Sequence, residues 1–108
     1  INDELENEMI KITKENFEQI IKDNKKVIID FWADWCNPCV ALGPILENVS
    51  KNYPDVVFGK VNVDEESELA TAFDITSIPY VVKIIDGKYS DSFLGLHNEE
   101  FVEKFFEK

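Results

Sequence analysis

The chain has 108 residues, 44% of them hydrophobic and 12% aromatic, with four Gly and four Pro, a size and make-up that fit one globular domain over 1–108 and exclude fibrous, low-complexity and disordered classes. Twenty-two acidic against eleven basic side chains leave a formal charge of -11, which repels phosphate backbones and anionic headgroups, so neither nucleic acid nor a membrane surface is an expected partner. No stretch approaches the roughly 20 apolar residues of a membrane span. The start, Ile1-Asn2-Asp3-Glu4, lacks a signal-peptide pattern, and the only two cysteines, Cys36 and Cys39, make no secreted disulfide framework, so a cytoplasmic home is expected.

In chain order, residues 1–8 read as an N-terminal extension or a first helix, and Met9 to Ile12 alternates like a short strand. Phe17, Ile20 and Ile21 then recur at helical spacing. Val27-Ile28-Ile29-Asp30-Phe31-Trp32 is an apolar run broken by one charge, the pattern of a strand buried on both faces. After the cysteines, Leu42, Ile45, Leu46, Val49 and Tyr53 form one stripe of a long helix, with Pro44 inside it as an expected kink. Val56 to Val63 reads as a strand, and Leu69, Ala70 and Phe73 as the inner face of a short helix.

Tyr80 to Ile85 is another β-branched run, and Asp86-Gly87 is a tight-turn signal leading into Tyr89 to Leu94, which together predict a hairpin. The polar Ser90, Asp91 and Ser92 suit a sheet edge. Asn98 is placed to cap a last helix with Glu99 and Glu100 in its first turn and Phe101, Val102, Phe105 and Phe106 as its buried stripe. Helical crossovers serve parallel strands and the hairpin adds antiparallel ones, so an α/β fold with one mixed sheet and helices on both faces is expected.

The chemistry lies in Trp35-Cys36-Asn37-Pro38-Cys39. If the long helix begins near Cys36, the two cysteines stand one turn apart, and Pro38 suits a first turn where an N–H is dispensable. Unpaired N–H groups and the positive dipole end there favour a thiolate, which makes Cys36 a candidate nucleophile. A structural disulfide, half of a zinc site and two inert thiols are the alternatives. Zinc needs about four ligands, and His97 is the single histidine, so no metal is expected. A bridge across so short a loop restrains the unfolded chain little. The spacing in its strand–helix setting favours redox chemistry.

Asp30 to Cys39 closely resembles the active-site stretch of the thioredoxin family, and the similarity continues through Pro44, Lys60-Val61-Asn62-Val63-Asp64, Ile78-Pro79, Gly87 and Gly95. The resemblance implies a thioredoxin-like fold: a five-stranded mixed sheet of order 1-3-2-4-5, with Cys36 exposed and Cys39 mostly buried behind it. It implies a protein-disulfide reductase in which Cys36 attacks a substrate disulfide and Cys39 resolves the mixed disulfide, leaving a redox-active Cys36–Cys39 bridge. No bound cofactor is implied. Disulfide-containing proteins are the implied substrates, a thioredoxin-reductase-like flavoprotein the implied electron donor, and a monomer the expected state.

Residue by residue, the resemblance makes Asp30 a buried carboxylate that relays the proton of Cys39, with Lys60 on the next strand moderating it. By composition alone, a solvated Asp at a strand end and an exposed Lys are the alternatives. Ile78-Pro79 matches the family's cis-proline, although X–Pro bonds are mostly trans; with Trp35, Asn37, Pro38 and Gly95 it would border the substrate groove. Trp32 could simply be core. Three positions depart from the family pattern: Asn37 replaces Gly, Val40 stands where a basic residue often follows, and Tyr80 replaces Thr. Asn37 would bear on redox poise and Tyr80 would narrow the groove. A thioredoxin-fold binding module without turnover is the competing function, disfavoured by the presence of both cysteines, Asp30 and Pro79. A dedicated reductase, an oxidase or an isomerase are the other enzymatic readings.

Overall fold

A computed structural model describes residues 9–107; the expected extension or helix at 1–8 lies outside them. The elements run β1 (Ile10–Lys11), α1 (Phe17–Asp23), β2 (Lys26–Trp32), α2 (Asn37–Ser50), β3 (Val57–Asn62), α3 (Ser67–Ala72), β4 (Tyr80–Ile85), β5 (Lys88–Leu94) and α4 (Glu99–Glu107). The sheet order is β1-β3-β2-β4-β5. β1 and β2 pair parallel to β3, while β4 pairs antiparallel to both β2 and β5.

β2 is central because its apolar run satisfies both faces. Ile28 joins Leu42, Leu46, Val49, Val102 and Phe105 in a core under α2 and α4. Val27, Ile29 and Phe31 alternate to the other face, toward Phe17, Ile20 and Leu69 of α1 and α3. Aromatic edges lock the layers: Phe31 and Phe17 meet Phe73 at centroid distances of 5.2 and 5.7 Å, and Phe93 meets Phe105 at 4.9 Å. Full burial of each such side chain is worth about 1.5–3 kcal/mol.

Local chemistry sets the ends. β1 is shorter than its alternation suggests: Ile12 N–H still donates to Lys60 O (2.9 Å), but Thr13 N–H donates to Asn16 Oδ1 (2.8 Å) and turns the chain toward α1. The Asp86-Gly87 turn has φ of 53° and 78°, the pair of positive values that a two-residue hairpin of matching twist requires. Asn98 Oδ1 accepts from Phe101 N–H at 2.9 Å, the expected cap of α4. At the other end of α4, the carbonyls of Phe105 and Phe106 accept from Lys83 Nζ (2.7 Å) and Lys26 Nζ (2.9 Å). Lys83, buried in the middle of the apolar β4 run, is thereby accommodated beside the core.

Gly59 of β3 is a close-approach position. A Cβ there would lie 2.7 Å from Ile12 Cγ1 and 3.0 Å from Ile10 O, so the absence of a side chain lets β1 lie against β3.

Candidate active site

β2 ends at Trp32, and the chain passes Ala33 and Trp35 before entering α2 with Cys36 as N-cap. Cys36 and Cys39 are joined in a disulfide with Cα atoms 5.2 Å apart. Extended backbone at Cys36, followed by Asn37 and Pro38 in the first turn, presents the sulfur to the open N–H groups of the helix. Cys39 N–H donates to Cys36 Sγ at 3.2 Å. The helix start thus sets a hydrogen-bond donor and the positive end of the helix dipole at that sulfur.

The expected exposure of Cys36 is corrected: it is 5% exposed and Cys39 3%. With their sulfurs bonded to each other, both cysteines pack with Ala33 in a small cluster, flanked by Trp32, Val63 and Ile78. Asn37 and Pro38 are exposed beside them.

Asp30 lies in the middle of the apolar run and is 2% exposed. By strand alternation it shares the face of Ile28, the face that α2 covers with Cys39. Burial pushes its carboxyl up to about 7, and the charge of Lys60 pulls the other way. Oδ1 has no hydrogen-bond partner among the described residues. Lys60 is the register partner of Asp30 on β3, and its Nζ lies 4.8 Å from the centroid of the Trp32 ring. Trp32 is therefore more than core filling: it carries Lys60 on its face, flanks the cysteines, and has a buried Nε1 with no partner among the described residues.

The Ile78-Pro79 bond is cis. Ile78 packs on the cysteine cluster, and Pro79 O accepts from Gly95 N–H at 2.8 Å, tying the two loops together. Gly95 has φ of 90°, a conformation strained for any residue with a Cβ. Trp35 is 68% exposed, with Nε1 donating to Asp64 Oδ2 at 2.8 Å. Asp64 had no role in the sequence reading; its place just past β3, level with the cysteine loop, was the available signal. Tyr80, directly after Pro79, shares a 2.9 Å hydrogen bond between its hydroxyl and Ser92 Oγ and packs partly buried on the cluster under α1 and α3.

The arrangement unites a helix-start disulfide, a buried carboxyl of raised pKa under the same helix, and a cis-proline loop beside the sulfurs. A family model described as Thioredoxin matches residues 8–108. The chain belongs to the thioredoxin family. It is 40% identical over 101 residues to a thioredoxin of Chlamydia pneumoniae, covering 93% of this chain and 98% of that one. It is 53% identical over 70 residues to a putative thioredoxin 2 of Streptomyces coelicolor, a match spanning 65% of this chain and about half (52%) of the relative. A solved structure of Plasmodium falciparum thioredoxin superposes with a TM-score of 0.86 at 38% identity, covering 92% and 97% of the two chains. As a member of this family with its cysteine pair in place, the protein is a thiol–disulfide oxidoreductase acting on protein disulfides. Thioredoxins need no cofactor beyond that redox-active disulfide. Among the described residues, no group of three or more His, Cys, Asp and Glu side chains could hold a metal ion, and no helix is long and apolar enough to cross a membrane.

Proposed function

We propose that Cys36 is the attacking thiolate, Cys39 the resolving thiol and Asp30 the proton acceptor that prepares Cys39. The observation that carries this reading is the placement of Cys36 at the N-cap of α2, with Cys39 N–H donating to its sulfur. In the reduced protein, Cys36 Sγ attacks one sulfur of a target disulfide. That S–S bond breaks, a Cys36–target bond forms, and the first target thiolate leaves to be protonated from solvent. Asp30, with a pKa near neutrality, takes the proton of Cys39. Cys39 Sγ then attacks Cys36 Sγ; the mixed disulfide breaks, the second target thiolate leaves, and the bridge forms. Two electrons pass to the target and the dithiol is oxidised.

Lys60 limits how far burial raises the Asp30 carboxyl, because its cation stands on the neighbouring strand. Trp35, held by Asp64, covers the approach to Cys36, and Asn37, Pro38, Ile78, Pro79 and Gly95 line the groove in which the substrate chain lies. An extended target segment would meet the backbone of Ile78, while Pro79 offers no N–H of its own. The reading extends to a single domain over 1–108, monomeric and cytoplasmic, and rereduced by a flavoprotein of the thioredoxin-reductase type. The test is turnover of insulin disulfides with dithiothreitol as electron source. Parent protein accelerates reduction, and Cys36→Ser returns it to the dithiothreitol background; an unchanged rate in that variant would contradict the assignment.

A further inference from the structure

We propose that His97 is a positioning residue for the target groove: it latches the segment Leu94 to Leu96 from outside, so that Gly95 stays hydrogen-bonded to Pro79 and the two loops keep the spacing that an extended target chain requires. The inference rests on the reading above in which Pro79 and Gly95 border the groove, and it assigns the side chain that holds them there.

The segment is a pivot between two anchored elements. The β4–β5 ladder ends at the rung Tyr80–Leu94, and one step beyond it Gly95 N–H donates to Pro79 O at 2.8 Å. Gly95 has φ of 90°, and a Cβ built on it would meet nothing within 4 Å. No neighbour packs where its side chain would be, and glycine restrains φ and ψ less than any other residue. Leu94 and Leu96 on either side are exposed. A pivot of this kind needs a second point of attachment to keep one position.

His97 supplies it. Its Nε2 lies 2.9 Å from Leu94 O; a carbonyl oxygen only accepts, so Nε2 is assigned the proton and donates. The bond closes a ring from residue 97 back to residue 94, with Gly95 and Leu96 inside it. The imidazole is fixed in turn, stacked on Phe101 with centroids 3.8 Å apart at 13° and set edge-on to Phe93 at 5.3 Å and 89°. Phe93 belongs to the core under α2 and α4, and Phe101 stands in the first turn of α4, its N–H held by Asn98 Oδ1. A ring placed just before the N-cap and packed on the first turn fixes the angle at which the chain enters the helix. The position of Gly95 is thereby referred to the core through one side chain. Packing alone is a poor account of this residue: Phe101 is 41% exposed, so the stack lies at the surface and encloses little, and a purely carbon ring would stack there without the bond to Leu94.

Released from the latch, Gly95 leaves Pro79 more often, and a target chain must order the segment as it binds. That cost falls on targets with peptide on both sides of the disulfide and spares small disulfides, which do not fill the groove. The test compares the parent with His97→Ala, His97→Phe, which keeps a ring and loses the donor, and His97→Gln, which keeps a donor at similar reach and loses the ring. Second-order rate constants of the reduced proteins are measured with a disulfide-linked extended peptide and with hydroxyethyl disulfide. The peptide-to-small-disulfide ratio should fall about three- to tenfold in His97→Ala and by less in the other two. The equilibrium of the Cys36–Cys39 bridge with dithiothreitol should stay at its parental value, and amide exchange at Gly95 N–H should quicken. A role in folding alone would lower the denaturation midpoint and leave the ratio parental, which overturns the proposal, as does an equal loss toward both disulfides. His97→Phe and His97→Gln each retain part of the contact and decide the matter if His97→Ala does not fold. A parent that reduces neither disulfide overturns the oxidoreductase reading itself; a parent that reduces both, with the ratio unchanged in every variant, overturns the latch alone.

Discussion

The lower part of β2 and its upper part bury the same strand to the same depth and use that burial differently. Val27, Ile28 and Ile29 are wholly enclosed by apolar neighbours on both faces. One residue on, Asp30 is as deeply buried, and neither its Oδ1 nor the buried Nε1 of Trp32 beyond it has a hydrogen-bond partner among the described residues. The lower half holds the layers together. The upper half, where β2 approaches the cysteines, keeps polar atoms that a purely structural core would have paired or replaced, and it is there that burial sets a carboxyl pKa near neutrality. Unsatisfied polarity is concentrated at the chemistry.

This contrast is sharpest between adjacent residues. Phe31→Ala removes a ring enclosed by the α1 and α3 cluster and packed on Phe73, and it should cost about 3–5 kcal/mol; chemical denaturation of the two proteins measures the difference. A loss below 1 kcal/mol would mean that this face of the strand is less tightly packed than its burial indicates.

Asp30→Asn should act in the opposite direction above neutral pH. The folded carboxyl titrates at about 7 against an ordinary value of 3.8, so burial favours its protonated form. The stability linked to that form is fully present below about pH 4 and is lost as pH rises through 7. Between pH 4 and 8 the parent should therefore lose stability relative to the variant, by an upper limit on the order of 4 kcal/mol. Denaturation midpoints of both proteins across that range check the sign; a parent that gains on the variant with rising pH would contradict the buried-carboxylate account. In the same variant, resolution of a Cys36 mixed disulfide should slow near neutral pH while the first attack changes less.

Gly59→Ala probes the edge of the sheet rather than its centre. The new Cβ would press on Ile12 and on the carbonyl of Ile10, so β1 must move off β3 at a cost of about 1–3 kcal/mol. Faster amide exchange at Ile12 N–H, which donates to Lys60 O, would localise the damage. An unchanged exchange rate would place the strain elsewhere.

Much of the fold was legible because its signals are local. The apolar runs of β2 and β4 and the Asp86-Gly87 turn each name their own structure, as does the Asn98 cap. The pairing order depends on contacts between distant segments, and it came from the resemblance of Asp30–Cys39, Ile78-Pro79 and Gly95 to a known family rather than from periodicity. The site was legible in the same two ways. The Cys36–Cys39 spacing at a helix start could be read directly, whereas the depth of Asp30 could not, since one charge in an apolar run is equally consistent with a solvated strand end. What escaped required side-chain directions across the fold. Lys83 is buried because the last carbonyls of α4 end above it; the Tyr80 hydroxyl meets Ser92 on the next strand; Asp64 reaches Trp35 across two loops.

The most direct test of the account is a trapping measurement on Cys39→Ser. This variant keeps the proposed nucleophile at the helix start and replaces the resolving thiol by a hydroxyl, a far poorer nucleophile at neutral pH. Mixed with a disulfide-containing protein and analysed by non-reducing mass spectrometry, it should accumulate a covalent adduct through Cys36 that dissociates on adding reductant, while Cys36→Ser accumulates little. Equal adduct formation by the two variants, or an adduct formed faster through Cys39, would contradict the division of labour between the two cysteines.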